Sequence, residues 1–249
     1  LDETGEAEPR PAVWTSDRVG TGVAYFAAAL KWNRDRFPRG VPNITFELEG
    51  ARDIDDPRDG STGYSANSAL VLRHYLMDGV IGLGATADEI EDTAFAAQAN
   101  LCDEAAAKAD GSTENRYETH GPVSADEARD GTLTDLCAAM ASDLIWSDGK
   151  FKPVNGQVPT PAFVVTDDDL MGAIEGTIER SRRDAYNTVL GEFEPPTTDY
   201  ISVTYPAVKS ADGISEDGGE IARRLPLPFT NSADAAQRLA LATVREGRK

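Results

Sequence analysis

One stretch, residues 40–84, constrains the fold more than any other: GVPNITFELEGARDIDDPRDGSTGYSANSALVLRHYLMDGVIGLG. It reads as a strand, a long polar turn, a helix and a glycine-rich stop. In residues 44–49, Ile44, Phe46 and Leu48 alternate with Thr45, Glu47 and Glu49. One row is expected on a core and the other in water. The run from Asp53 to Gly60 cannot extend that strand, because Pro57 lacks a ladder donor and Gly60 favours a turn. Ser65 is the expected N-cap of a helix over 66–77, with Ala69, Leu72 and Leu76 on one face. Gly79, Gly82 and Gly84 end it. Nothing in the segment is catalytic by its chemistry alone.

The 249 residues allow one to three compact units. A net charge of −19 argues against tight binding to a nucleic-acid backbone, which requires a basic footprint. The charge fits solubility, tolerance of high salt or an acidic inner surface, which composition does not separate. Cys102 and Cys137 sit on apolar helix faces and are expected as buried thiols rather than a disulfide framework. No run reaches the ~18 apolar residues of a membrane span, and no signal peptide is visible. The chain begins with Leu1, and the expectation is a piece of a longer protein.

Taken in order, residues 1–13 are an acidic lead-in, and 23–32 is open between helix and strand. Residues 34–40 form a turn. Thr86-Ala87-Asp88-Glu89 has the spacing of a capping box and opens a second helix with a stripe of Ile90, Ala94, Ala97 and Leu101. Residues 108–115 read as a polar loop and 116–120 as a strand. A helix over 133–143 carries Leu133, Leu136, Cys137, Met140 and Leu144. A hairpin follows, 144–147 against 150–154, about Asp148-Gly149. Residues 158–163 are a linker and 166–170 a capped turn. Strands are expected over 186–193 and 200–205, with an acidic loop over 210–219. Thr230-Asn231-Ser232 caps a last helix with Ala236, Leu239, Ala240 and Val244 on one face. There is no internal repeat and no low-complexity tract.

Candidate chemistry is sparse. His74 and His120 lack a positioned nucleophile or carboxylate and read as surface or packing residues. Two isolated histidines do not make a zinc site. Asp53, Asp55, Asp56 and Asp59 crowd one turn, but Arg58 occupies the position a calcium loop reserves for glycine, and no glutamate closes it. Asp167, Asp168 and Asp169 suit a helix N-terminus. Glu216, Asp217 and Glu220 read as loop carboxylates. Arg180, Arg182 and Arg183 form the one basic run of note, expected in ion pairs within the fold or across a subunit contact. Trp14, Trp32 and Trp146 lie in apolar runs and are expected in the core. No catalytic, cofactor-binding or metal-binding residue is therefore assigned, and no cofactor is expected.

The chain resembles the J-type tail tip (central hub) proteins of long-tailed phages and the similar hub of gene transfer agents. The matching residues are Pro42-Asn43-Ile44, Asp56-Pro57-Arg58, Asn67 with Ala69, Leu72-Arg73, Tyr75-Leu76 and Gly82-Leu83-Gly84. Cys102-Asp103, the helix-then-hairpin over 133–154, Arg182-Arg183-Asp184 and the Leu225 to Thr230 run continue the likeness. It extends from about Trp14 to Val244. Departures are Asp55 and Ile81 for aromatics, Ser68 for proline and His74 for an acid. The resemblance implies a strand at 23–32 and an α+β fold. In that fold β-rich hub segments span 1–62 and 158–249, a helical segment spans 63–115, and a small inserted helix-plus-hairpin unit spans 116–157. It implies a structural virion component that closes the distal tail tube at the tail tip. That component would be a homotrimer meeting the distal tail protein, the tape-measure protein and other tip proteins, take part in host attachment, and pass DNA transiently during ejection. The rival readings are a tail-associated wall hydrolase with paired carboxylates, and a carbohydrate- or receptor-binding module.

Overall fold

The computed structural model describes residues 26, 33–40, 43–44, 46–156, 163–172 and 185–247. Its chain parts into two compact units, Leu1–Leu48 and Glu49–Lys249.

In the first unit, residues 33–40 turn as expected. The Phe37 N–H donates to the Asn33 carbonyl at 2.8 Å and the Gly40 N–H to the Phe37 carbonyl at 3.1 Å. The rings of Phe26 and Phe46 meet at 4.7 Å. The expected strand over 44–49 is not formed among the described residues, and Ile44, Phe46 and Leu48 are all exposed. Alternation says that one row needs a cover, but not that the same chain supplies a paired edge.

The second unit opens with a hairpin, β1 (Ile54–Asp55) and β2 (Thr62–Gly63), closed by the turn at 56–61. Helix α1 (Ser68–Met77) follows, with Ala69, Leu72 and Leu76 fully buried. Its cap is Asn67, not Ser65: the Asn67 side chain accepts from the N–H groups of Ala69 and Leu70. The glycine stop has a steric cause. A Cβ on Gly82 would lie 1.7 Å from the Tyr75 carbonyl oxygen, so the chain can fold back over the helix end only there.

The capping box at Thr86 forms, with the Glu89 carboxylate accepting from the Thr86 N–H at 2.8 Å, but it closes a single 3₁₀ turn, Ala87–Glu89. Helix α2 starts afresh at Asp92 and runs to Cys102. The restart shifts the phase, so its buried face is Phe95, Gln98, Ala99 and Cys102 rather than Ala94, Ala97 and Leu101. Of the stretch expected as a polar loop, 108–112 is the turn of a hairpin, while Thr113–Asn115 is its second strand, β4, paired with β3 (Ala105–Ala107). Residues 116–120 carry only an isolated bridge, Asn67 to Glu118, not a strand.

Helix α3 (Arg129–Ala138) begins and ends before its expected bounds; beyond it Ala141 turns left-handed (φ 48°) and releases the chain into a strand. Leu136, Cys137 and Met140 are buried as expected. The hairpin of β5 (Ser142–Ser147) and β6 (Lys150–Asn155) forms about Asp148 and Gly149, whose φ values of 56° and 76° are those of a type I′ turn. Trp146 is not core. It is 55 % exposed beside the turn, edge-on to Phe151 opposite at 4.6 Å. Helix α3 packs on α1 and β5, and β6 packs on α2.

Beyond the turn at Asp167–Asp169, β7 (Thr188–Leu190) continues into β8 (Glu192–Phe193), which pairs with β9 (Val203–Thr204). Strand β10 (Val208–Lys209) pairs antiparallel with β7. The expected acidic loop is a short helix, α4 (Ala211–Asp217), capped by Ser210 and stopped at Gly218. Strand β11 (Ala222–Arg224) lies parallel to β7 and completes the three-stranded order β10-β7-β11. Helix α5 (Ala233–Glu246) packs on β7 and β10, with Ala236, Leu239, Ala240 and Val244 buried as expected. The described residues thus form five α-helices and five small sheets, none closed, a mixed α+β architecture. The expected lead-in at 1–13, the linker at 158–162, the three-arginine run, Trp14, Trp32 and, apart from Phe26, the strand at 23–32 lie outside the described residues.

Candidate functional site

Four polar residues, Asp56, Arg58, Asn67 and Asp103, meet at one junction. Helix α2 ends on Asp103, an acid at the negative end of the helix dipole, where it needs a cation. Arg58, from the β1–β2 turn, supplies it through Nη1, 2.7 Å from Asp103 Oδ2 and 3.1 Å from Asn100 Oδ1. Its Nε and Nη2 grip Asp56 at 2.9, 3.0 and 2.6 Å. The other Asp103 oxygen accepts from Asn67 Nδ2 at 2.9 Å, and that amide also donates to the Ala99 carbonyl. One polar cluster therefore fastens a turn, the start of α1 and the end of α2. These bonds hold the Asp56 carboxyl below the usual carboxylate range, with Arg58 as the main cause, and push the Arg58 guanidinium above its ordinary value. A second tie, Arg73 Nε to Asp92 Oδ1 at 2.8 Å, joins α1 to the start of α2. The Asn67 cap and the Arg58–Asp103 pair escaped the sequence reading. Their one signal was an acid placed unfavourably at a helix C-terminus.

The other singled-out groups form pairs rather than one site, and each histidine has a carboxylate beside it, contrary to the expectation from sequence. His74 lies 3.8 Å from Asp53, and His120 lies 3.3 Å from Glu118, whose carboxyl it lowers. Asp55 accepts from the Thr62 hydroxyl at 2.7 Å and Asp59 from the Ser61 N–H at 2.8 Å. Asp169 accepts from both Thr166 groups, as a cap should. Asp217 accepts from Asn187 Nδ2 at 2.9 Å, and Glu220 pairs with Lys209 at 2.8 Å. Among the described residues no group of three or more His, Cys, Asp or Glu could hold a metal ion. Cys102 and Cys137 are free and buried, with burial pushing their thiols up to about 12 and about 11.

A cleft of about 390 Å³ lies between α3 and the segment after β11. Pro122, Pro228 and Phe229 give it apolar walls, and Glu127, Asp135 and Glu194 bring carboxyls to it. Burial raises the Asp135 carboxyl, and the neighbouring charge of Glu127 adds to that.

No protein-family model and no curated protein matches the chain. Among the described residues the molecule offers a braced junction that fixes helices and a cleft to which carboxyls contribute. Among the described residues no helix is long and apolar enough to cross a membrane.

Proposed function

We propose that this chain is a structural component of the tail tip of a phage or phage-like particle, a β-rich hub segment at the distal end of the tail tube. The observation that carries the reading is the junction of Asp56, Arg58, Asn67 and Asp103: the polar residues that give the sequence its likeness to tail hubs are bonded to one another. A brace of this kind, which ties a turn and two helix ends together, suits a part that carries load. In this reading three copies surround a conduit, contact the distal tail and tape-measure proteins, and present acidic walls over which DNA phosphates slide without sticking. Imaging of intact particles carrying a tagged chain tests it. The expected density is on the three-fold axis at the distal end of the tube; a lone peripheral spike overturns the proposal.

The cleft favours a second reading, a wall hydrolase in which Asp135 is the proton donor. Clearing of peptidoglycan by the chain, abolished in Asp135→Asn, would establish that reading and displace the first.

A further inference from the structure

We propose that the cleft beside α3 is a binding site for an alkylammonium group, carried either on a free amine or on a lysine side chain of a partner protein. One face of α3 forms its floor. Ala128, Gly131, Thr132 and Asp135 fall at i, i+3, i+4 and i+7 and all line it. Ala128 and Gly131 are small, which leaves about 390 Å³ open, within the range of small-ligand pockets. Opposite them stand the apolar walls of Pro122, Pro228 and Phe229. The Phe229 carbonyl accepts from the His120 N–H at 2.9 Å, which pins that wall to the chain before α3.

The charge of the cleft has no counterpart in the chain. Glu127, Asp135 and Glu194 bring three carboxyls to it, and no lysine, arginine or histidine lines it. Asp135 and Glu194 are half-buried, yet none of the three carboxyls is hydrogen-bonded or ion-paired among the described residues. Charges taken out of water are normally paired. Asp135 also lies in the last turn of α3, at the negative end of the helix dipole, where an acid needs a cation. The same need at Asp103 is met by Arg58, but nothing in the cleft meets it at Asp135. Thr132 is a second, separate observation. It is buried and lines the cleft, and its hydroxyl reaches only the Ala128 carbonyl, at 3.5 Å, against ~2.5–3.0 Å for an O–H···O bond. A ligand that suits both is a cation with several donors. An ammonium has three donors and no acceptor, and its alkyl stem can lie along the proline and phenylalanine walls. The proposal rests on neither functional reading, since particle imaging decides the first and peptidoglycan clearing the second.

Titration of the isotope-labelled full chain with pentylammonium, followed by amide NMR shifts, tests it. Saturable shifts are expected at the amides of Gly131, Thr132 and Asp135. 1-Pentanol, the same stem without the charge, should bind about tenfold more weakly or worse. A Cβ on Gly131 meets no atom within 4 Å, and leucine favours a helix over glycine, so Gly131→Leu fills the cleft while its Tm stays at or above that of wild type. That variant, and separately Asp135→Asn, should each weaken binding by about tenfold or more. Lysine capped at both backbone ends is the second probe. Tighter binding than pentylammonium assigns the site to a partner's lysine, and weaker binding assigns it to a free amine. Shifts that do not saturate with either amine, binding of 1-pentanol as tight as that of pentylammonium, or undiminished binding by folded Gly131→Leu or by Asp135→Asn would each overturn the proposal.

Discussion

Replacing Arg58 by methionine removes the cation of the junction while keeping most of the side chain's apolar length. The lost bonds are three to Asp56, one to Asp103 and one to Asn100. An exposed ion pair contributes only ~0–1 kcal/mol. Here Arg58 is 26 % and Asp56 15 % exposed, so screening is partial and the charge-assisted bonds act more fully. Asp103, 42 % exposed, contributes less. The expected loss is about 2–3 kcal/mol, with Asp103 left uncompensated at the end of α2. For a chain of this size that corresponds to a Tm lower by about 4–12 °C in thermal unfolding followed by circular dichroism. The effect carries a pH signature. The folded carboxyl of Asp56 is depressed, so its stabilisation is present above the unfolded value near ~3.9 and fades as pH falls through the folded value. Wild type and variant should differ most near neutrality and converge in acid. A difference under about 1 °C, or one that persists unchanged after the carboxyls protonate, would refute the brace.

Gly82→Ala should cost about 3 kcal/mol or more, because the new methyl meets the backbone carbonyl of Tyr75 at 1.7 Å rather than a side chain that can swing away; denaturant unfolding measures it. Gly149→Val should cost about 1–3 kcal/mol through backbone strain alone, since a Cβ there meets open space while φ is 76°; a Tm equal to wild type would contradict the type I′ turn. Neither thiol should react with a disulfide reagent at pH 8 in the native chain, and both should react once it is unfolded. The cause is burial, which holds Cys102 near about 12 and Cys137 near about 11.

How much was legible depended on whether local signals agreed. The stripe of α5 and the Asp148-Gly149 hairpin were readable because cap, period and turn residue all pointed one way. For α2 the cap was real, but it belonged to a separate 3₁₀ turn, and the stripe counted from it fell one position out of phase. Helix α4 was missed because its acids suggested a loop, although Ser210 before it and Gly218 after it were cap and stop. Trp146 illustrates the limit of apolar runs as evidence of burial: beside a turn, the residue opposite is its cover. The Arg58–Asp103 contact joins residues 45 positions apart, and no local pattern encodes such a meeting.

The last helix also bears on how this chain acquires its structure. Helix α5 lies against β7 and β10, and its Arg238 reaches back 124 positions to Glu114 at 2.6 Å. Ala109 is tied to Asp234 over a similar span. While a ribosome is still short of residue 233, the apolar surface that α5 will cover has no lid, and the early hairpin at β3–β4 waits for its partner. Completion is thus a late, non-local step, the kind that folds slowly and leaves truncated products sticky.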